Sequence, residues 1–237
     1  MSSIQDDRGY NQMFKPSKAL EIRTDKRCAK IAQEIVAGVD KKVLEIGCGT
    51  GELAYLLAQK TSALVVGVDR CEAFINQAKA NFHLPNLKYE ILKINVNNLD
   101  NDCLEEYDYI IGNGILHHLY FQLGDVLLDF RRRLKPGGKL LFWEPNLINP
   151  YVYLIFSFSM FRKMAKLEPD EMAFTSGFIN EKLLSAGYKD VKTECLDFLL
   201  PNTPSYLIDL VIKAGTYLER TSPFRYLSQS LFIMAQK

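Results

Sequence analysis

The chain has 237 residues, 48% of them hydrophobic, with 29 Lys and Arg against 28 Asp and Glu. It is long enough for one domain with some insertion and apolar enough for a full core, and a net charge of +1 gives no global field to attract nucleic acid. Five cysteines, Cys28, Cys48, Cys71, Cys103 and Cys195, form an odd set with no C-x-x-C pair. That argues against a disulfide framework and against a zinc site, and fits a reducing cytoplasm. The opening Met-Ser-Ser-Ile-Gln-Asp-Asp-Arg shows no apolar signal region.

In chain order, Ser17 to Ala37 reads as an N-terminal helix. Cys28, Ile31, Ala32, Ile35 and Val36 are expected on one face, with Gly38 as the stop. Next comes Val43-Leu44-Glu45-Ile46-Gly47-Cys48-Gly49-Thr50-Gly51. A short apolar strand runs into a loop of three glycines, and a helical pattern follows at once. Such a loop lets backbone N–H groups approach a ligand and sets a helix N-terminus behind it, as in nucleotide-type cofactor sites.

A dinucleotide fingerprint wants Gly or Ala where Glu52 stands. Glu45, two residues before the first glycine, would repel a pyrophosphate but suits a ligand carrying an ammonium and a sulfonium. A second apolar strand, Leu64 to Asp69, ends in an acid placed to accept hydrogen bonds from ribose hydroxyls. Further strands are expected near 87–93, 107–112 and 138–143, with helices at 51–60, 71–82 and about 116–134. A helix over 177–186 closed by Gly187 and strands near 188–199 and 227–236 complete the pattern. Alternating strand and helix implies a parallel sheet with helices on both faces.

The run from Glu45 to Gly51 resembles motif I of the class I S-adenosylmethionine-dependent methyltransferases, an acid, any residue, then G-x-G-x-G. Later segments match the same family in order. Asp69 ends the second strand. Asn95 stands where the family carries an acid beside the adenine. Asn113-Gly114-Ile115-Leu116-His117-His118 follows the fourth strand, and Lys135-Pro136-Gly137-Gly138 precedes the fifth. The resemblance covers roughly residues 40 to 146. It implies a seven-stranded, mostly parallel, doubly wound Rossmann-like α/β sheet with an antiparallel C-terminal strand and helical lid insertions. It also implies S-adenosylmethionine as cofactor, held by Glu45, Gly47, Cys48, Gly49, Gly51, Asp69, Arg70, Phe74, Asn95, Val96, Asn113 and Gly114. One domain is expected over 1–237: a helical cap (1–38), the cofactor-binding core (40–146), and lid segments with the final strands (147–237).

Two stretches exceed this frame. Tyr151 to Phe161 is apolar and aromatic, and is followed by Arg162, Lys163 and Lys166. Phe198 to Leu218 carries a helical pattern through Tyr206, Leu207, Leu210 and Val211. The first is too short to span a bilayer. They read either as mutual core packing or as an apolar lid over an acceptor pocket lined by Tyr151, Tyr153, Phe156 and Phe158. Peripheral contact with lipid is a further option.

Methyl transfer from a sulfonium needs alignment first, and a general base only when the acceptor proton must leave early. The candidates for that base are His117, His118 and Glu144. Adjacent helical residues point about 100° apart, so one histidine is expected to face the site. Motifs for amino-methylating, cytosine C5 and metal-dependent catechol-type enzymes are absent from this sequence. The expectation is in-line transfer to a small organic, lipid or glycan-type acceptor, without metal and without a nucleic-acid partner. The alternative is a methyltransferase-fold protein that binds partners and has lost turnover. Oligomeric state is left open.

Overall fold

The computed structural model describes residues 17–36, 38–92 and 105–237. Asn95, Val96 and Cys103 lie outside these described residues. Helix α1 (Lys18–Glu34) starts where the Ser17 hydroxyl accepts a hydrogen bond from the Leu20 amide at 3.1 Å. This side-chain cap satisfies one of the orphan donors of the first turn. Strand β1 (Lys42–Ile46) follows, then α2 (Glu52–Thr61), β2 (Leu64–Asp69), α3 (Glu72–Asn81) and β3 (Leu87–Ile91). After the gap come β4 (Tyr107–Asn113), a 3-10 helix (Leu116–Gln122), α4 (Leu123–Arg133) and β5 (Leu134–Pro145). The chain continues through α5 (Pro150–Ser157), α6 (Ser159–Ala165), α7 (Ser176–Ser185), β6 (Lys189–Leu196), α8 (Ile208–Glu219) and β7 (Ser230–Gln236).

The seven strands form one sheet in the order β3-β2-β1-β4-β5-β7-β6. Pairs from β3 to β5 are parallel, and β7 runs antiparallel between β5 and β6. Period-two alternation of side chains divides the core between the two faces. Val43, Val65, Ile111, Leu141 and Phe232 pack under α1, α2 and α3. Leu44, Val66, Ile110, Phe142 and Ile233 pack under α4 and α7. The glycine turn lies within β5 and interrupts its pairing with β4. Leu134 pairs with Tyr107 and Lys139 with Tyr109, so Lys135 to Gly138 loops between them.

The expected elements are present, with two local differences. Val36 is 66% exposed and leaves the α1 face, because the helix has ended and Ile35 is already extended. The helix expected from 116 to 134 breaks into a 3-10 turn and α4, with a non-helical Leu119. Its first turn is tied to a carboxylate from β5, as described below.

Candidate active site

At the carboxyl end of β1, Glu45 is buried and its Oε2 has no hydrogen-bond partner. Burial, with Glu52 and Asp69 nearby, pushes its carboxyl up to about 8. A buried acid in this state is answered by a cation, and the ammonium and sulfonium of S-adenosylmethionine are cations. The loop leaves room for it. A side chain built on Gly49 would meet nothing within 4 Å. Asp69 links the loop to the second strand: its Oδ2 accepts from the Gly49 amide and its Oδ1 from the Cys71 amide, each at 2.9 Å. Two segments far apart in sequence thus become one cradle. Gly47 and Cys48 complete the turn, with the Cys48 amide donating to the Val68 carbonyl at 3.0 Å. Phe74 is buried on α3, whereas Arg70 is exposed.

Across the sheet, Gly114 leaves β4 at φ +74, and its amide donates to the Trp143 carbonyl at 2.7 Å. Asn113 lends its Oδ1 to Nη1 of Arg27 on α1 at 2.7 Å. The same guanidinium also reaches Asp197 at 2.9 Å and Ser230 at 2.5 Å, and lies 5.2 Å over the Trp143 ring. Arg23 meets Asp197 at 3.0 Å. Burial pulls the Asp197 carboxyl up, but Arg27 and Arg23 outweigh it and hold Asp197 below the usual range. Nothing in the sequence marked Arg27 as the strap joining α1 to the ends of β4, β6 and β7.

Glu144 is buried at the end of β5. Its Oε1 accepts from the amides of Ile115 at 2.9 Å and Leu116 at 2.7 Å. Its Oε2 accepts from the His117 amide at 3.3 Å and lies 2.8 Å from His117 Nδ1. One carboxylate therefore caps the 3-10 helix and orients the imidazole. Glu144 is engaged as an anchor, which does not suit the expected part of a free base. His118 Nδ1 lies 2.8 Å from Glu171 Oε1, and the two imidazole rings sit 4.2 Å apart. The expectation that one histidine faces the site gives way to a pair, because each ring is drawn to its own buried carboxylate. Burial works against the charged form of His118, but Glu171 outweighs it and raises the imidazole above its ordinary value. Glu171 lies outside every motif and was missed; only its place in the fold reveals it.

The apolar stretches separate. In α5, Phe156 is buried and meets the His117 ring edge-on at 5.8 Å, packing with Val152 and Ala173. Tyr151, Tyr153 and Phe158 are about half exposed, so of the four expected lining residues Phe156 alone is buried. Helix α8 rests on α1 through Ile208, Leu199 and Ala19, and Tyr206 is 83% exposed. A side chain so open to solvent is not part of an enclosed pocket.

Residues 43–138 match the family described as methyltransferase domain. The tRNA U34 carboxymethyltransferase of Pseudoalteromonas atlantica is 28% identical over 122 residues, 51% of this chain and 37% of that protein. The ubiquinone biosynthesis O-methyltransferase of Pseudomonas entomophila is 32% identical over 122 residues, 52% of this chain and 51% of that protein. The chain thus spans about a third to a half of the length of these curated relatives. Among solved structures, an S-adenosylmethionine-dependent methyltransferase from Mesorhizobium loti superimposes with a TM-score of 0.62. It is 19% identical, with 88% of this chain and 96% of that one covered, and shows the shared fold.

These relatives correct the expectation that nucleic acid is excluded, since several are named for a tRNA. Net charge sums over the whole chain and does not report the local surface a nucleic acid would meet. Among the described residues, no helix is long and apolar enough to cross a membrane. With a cation-seeking carboxylate under an open glycine cradle on this strand order, residues 43–138 carry a methyltransferase domain whose cofactor is S-adenosylmethionine.

Proposed function

We propose that the protein transfers the cofactor's methyl group to a heteroatom of a small, largely apolar organic acceptor. The observation that carries this reading is the Glu144–His117 pair, which holds an oriented imidazole beside Gly114, within 3.6 Å of where a side chain there would begin. When bound, the cofactor supplies a methyl group already activated by its sulfonium. Glu45 answers the cofactor's positive charge, the open glycine loop at Gly49 makes room for it, and Asp69 accepts from its ribose hydroxyls. Asn113, Gly114 and Ile115 form the wall between cofactor and acceptor. With Nδ1 committed to Glu144, Nε2 of His117 is free to take the proton that the acceptor gives up on methylation.

Phe156, edge-on to the imidazole at 5.8 Å, favours an apolar or aromatic acceptor and helps exclude water. The free cysteines Cys28, Cys48, Cys71 and Cys195 fit a reducing, cytoplasmic setting. A second reading, RNA as acceptor, is favoured by the relatives named for a tRNA.

A labelled-methyl screen tests both. The protein is incubated with labelled cofactor and cell extract, and the products are fractionated into small molecules, lipid, protein and RNA. Label in the small-molecule or lipid fraction supports the first reading. Label mainly in RNA replaces it with the second. No label in any fraction, with the cofactor bound in calorimetry, favours a binding protein without turnover.

A further inference from the structure

We propose that His117, His118 and Glu171 form a site for one divalent transition-metal ion, of which Zn²⁺ is the type. Each of the three side chains offers one ligand atom, and these atoms lie within 4.8 Å of one another. Two nitrogens and a carboxylate oxygen are a ligand set such an ion accepts, with positions left over for water or substrate. Such a site departs from the expectation of none.

Three observations go beyond the cluster itself. The first is the contact between His118 and Glu171. Nδ1 lies 2.8 Å from Oε1, yet this buried nitrogen has no hydrogen-bond partner. The distance is that of a hydrogen bond and the direction is not. Two ligands of one ion can stand in this relation, close together with no hydrogen bond between them. The second is His117, whose Nδ1 is held by buried Glu144 at 2.8 Å. A carboxylate on one ring nitrogen fixes the tautomer that leaves Nε2 as a ligand, the usual support of a metal-bound histidine. The third is burial: Glu144 and Glu171, the carboxylates against the two imidazoles, are 1% and 2% exposed, so the cluster is shielded from bulk water.

The fold brings the ligands together from distant places. The histidines open the 3-10 helix after β4, and Glu171 lies on the connection between α6 and α7. That connection is fastened to the helix where the Met172 amide donates to the His117 carbonyl at 3.0 Å. An ion here would sit beside Gly114. It could hold an acceptor oxygen and lower its pKa, so that no imidazole base is needed. This consequence rests on the proposed methyl transfer; ion binding does not.

The test is metal uptake by the full chain. Chelator-treated protein is dialysed against Zn²⁺ and analysed for bound metal, and Co²⁺ is titrated in parallel for its visible absorption. The expected result is one Zn²⁺ per chain and a Co²⁺ spectrum of low coordination number. His118→Asn and Glu171→Gln should weaken uptake at least about tenfold, and Glu144→Gln by about 10–100-fold. Calorimetry with the demethylated cofactor product should give unchanged affinity for the His118 and Glu171 variants, showing that they fold. Uptake by the wild type no greater than by a His118→Asn/Glu171→Gln double variant overturns the site. Uptake without any methylated acceptor leaves the metal site standing and removes the reading of function. Methyl transfer by protein that takes up no ion does the reverse.

Discussion

Glu144 and His117 are joined twice, through the backbone amide of His117 at 3.3 Å and through its Nδ1 at 2.8 Å. The carboxylate that shapes the turn also decides which ring nitrogen carries the proton. Replacing Glu144 by Gln keeps the shape but turns an acceptor toward Nδ1 into a donor. The proton then moves to Nε2, where neither an acceptor proton nor a metal ion can be taken. Turnover should fall about 10²–10⁴-fold with little change in cofactor affinity. Glu144→Ala also leaves the amides of residues 115–117 buried and unmet, and should cost about 3–5 kcal/mol in urea denaturation. A Gln variant with full turnover would refute the orienting role.

Glu45 gives a prediction in pH. Its folded pKa of about 8 lies above the ordinary value of 4.5. Between those values the native state therefore holds a proton that the unfolded state has released. Stability of the cofactor-free protein should fall as pH rises through this window, and Glu45→Gln should flatten that slope. Cofactor binding reverses the bias by presenting a cation, so it should release a proton near neutral pH. Calorimetry in two buffers of different ionisation enthalpy measures that release. Loss of the charge should weaken cofactor affinity roughly 10- to 100-fold, from about 1.5–3 kcal/mol. Identical heats in both buffers would contradict the linkage.

Gly49 and Gly51 look alike in sequence and should respond differently. A methyl group on Gly51 would lie 2.6 Å from Tyr89 Oη and 2.8 Å from Ala78 Cβ, at φ +91. Gly51→Ala should therefore destabilise the protein by about 2–5 kcal/mol, from overpacking added to backbone strain. On Gly49, at φ +53, the methyl meets nothing. Gly49→Ala should cost about 1–2 kcal/mol of stability and show its main effect as weakened cofactor binding. Thermal melts with and without cofactor separate the two. Equal losses of stability would remove the distinction.

The contrast marks how far the sequence could be read. The succession of strands and helices along the chain and the glycine loop were legible because they rest on local patterns: apolar strands, three closely spaced glycines, and an acid near the end of each of the first two strands. The acceptor side was not. Glu171 and Arg27 act through contacts across the fold, with His118 in one case and with Asn113, Asp197 and Ser230 in the other. No spacing records such contacts. The two histidines were visible, but their pairing was not, because it depends on carboxylates from β5 and from the connection before α7. Tyr206 shows the opposite failure. Its apolar helical spacing looked like a buried face, yet the face of α8 that packs on α1 is the one carrying Ile208, Val211 and Ile212.

Phe156 and Tyr206 test what remains of the lid. Phe156 is buried and its ring meets His117 at 5.8 Å, whereas Tyr206 is 83% exposed. Tyr206→Ala should change stability by no more than about 0.5 kcal/mol and leave turnover as it was. Phe156→Ala opens a cavity next to the imidazole and should cost about 3–5 kcal/mol, too much for a clean reading of activity. Phe156→Leu is the better probe, since it keeps the helix seated on Val152 and Ala173 while removing the ring from His117. With an acceptor identified by the labelled-methyl screen, Phe156→Leu should lower kcat/KM with cofactor affinity unchanged in calorimetry. If Phe156→Leu turns over like the wild type, α5 is packing alone, and the acceptor must be held by other residues around Gly114.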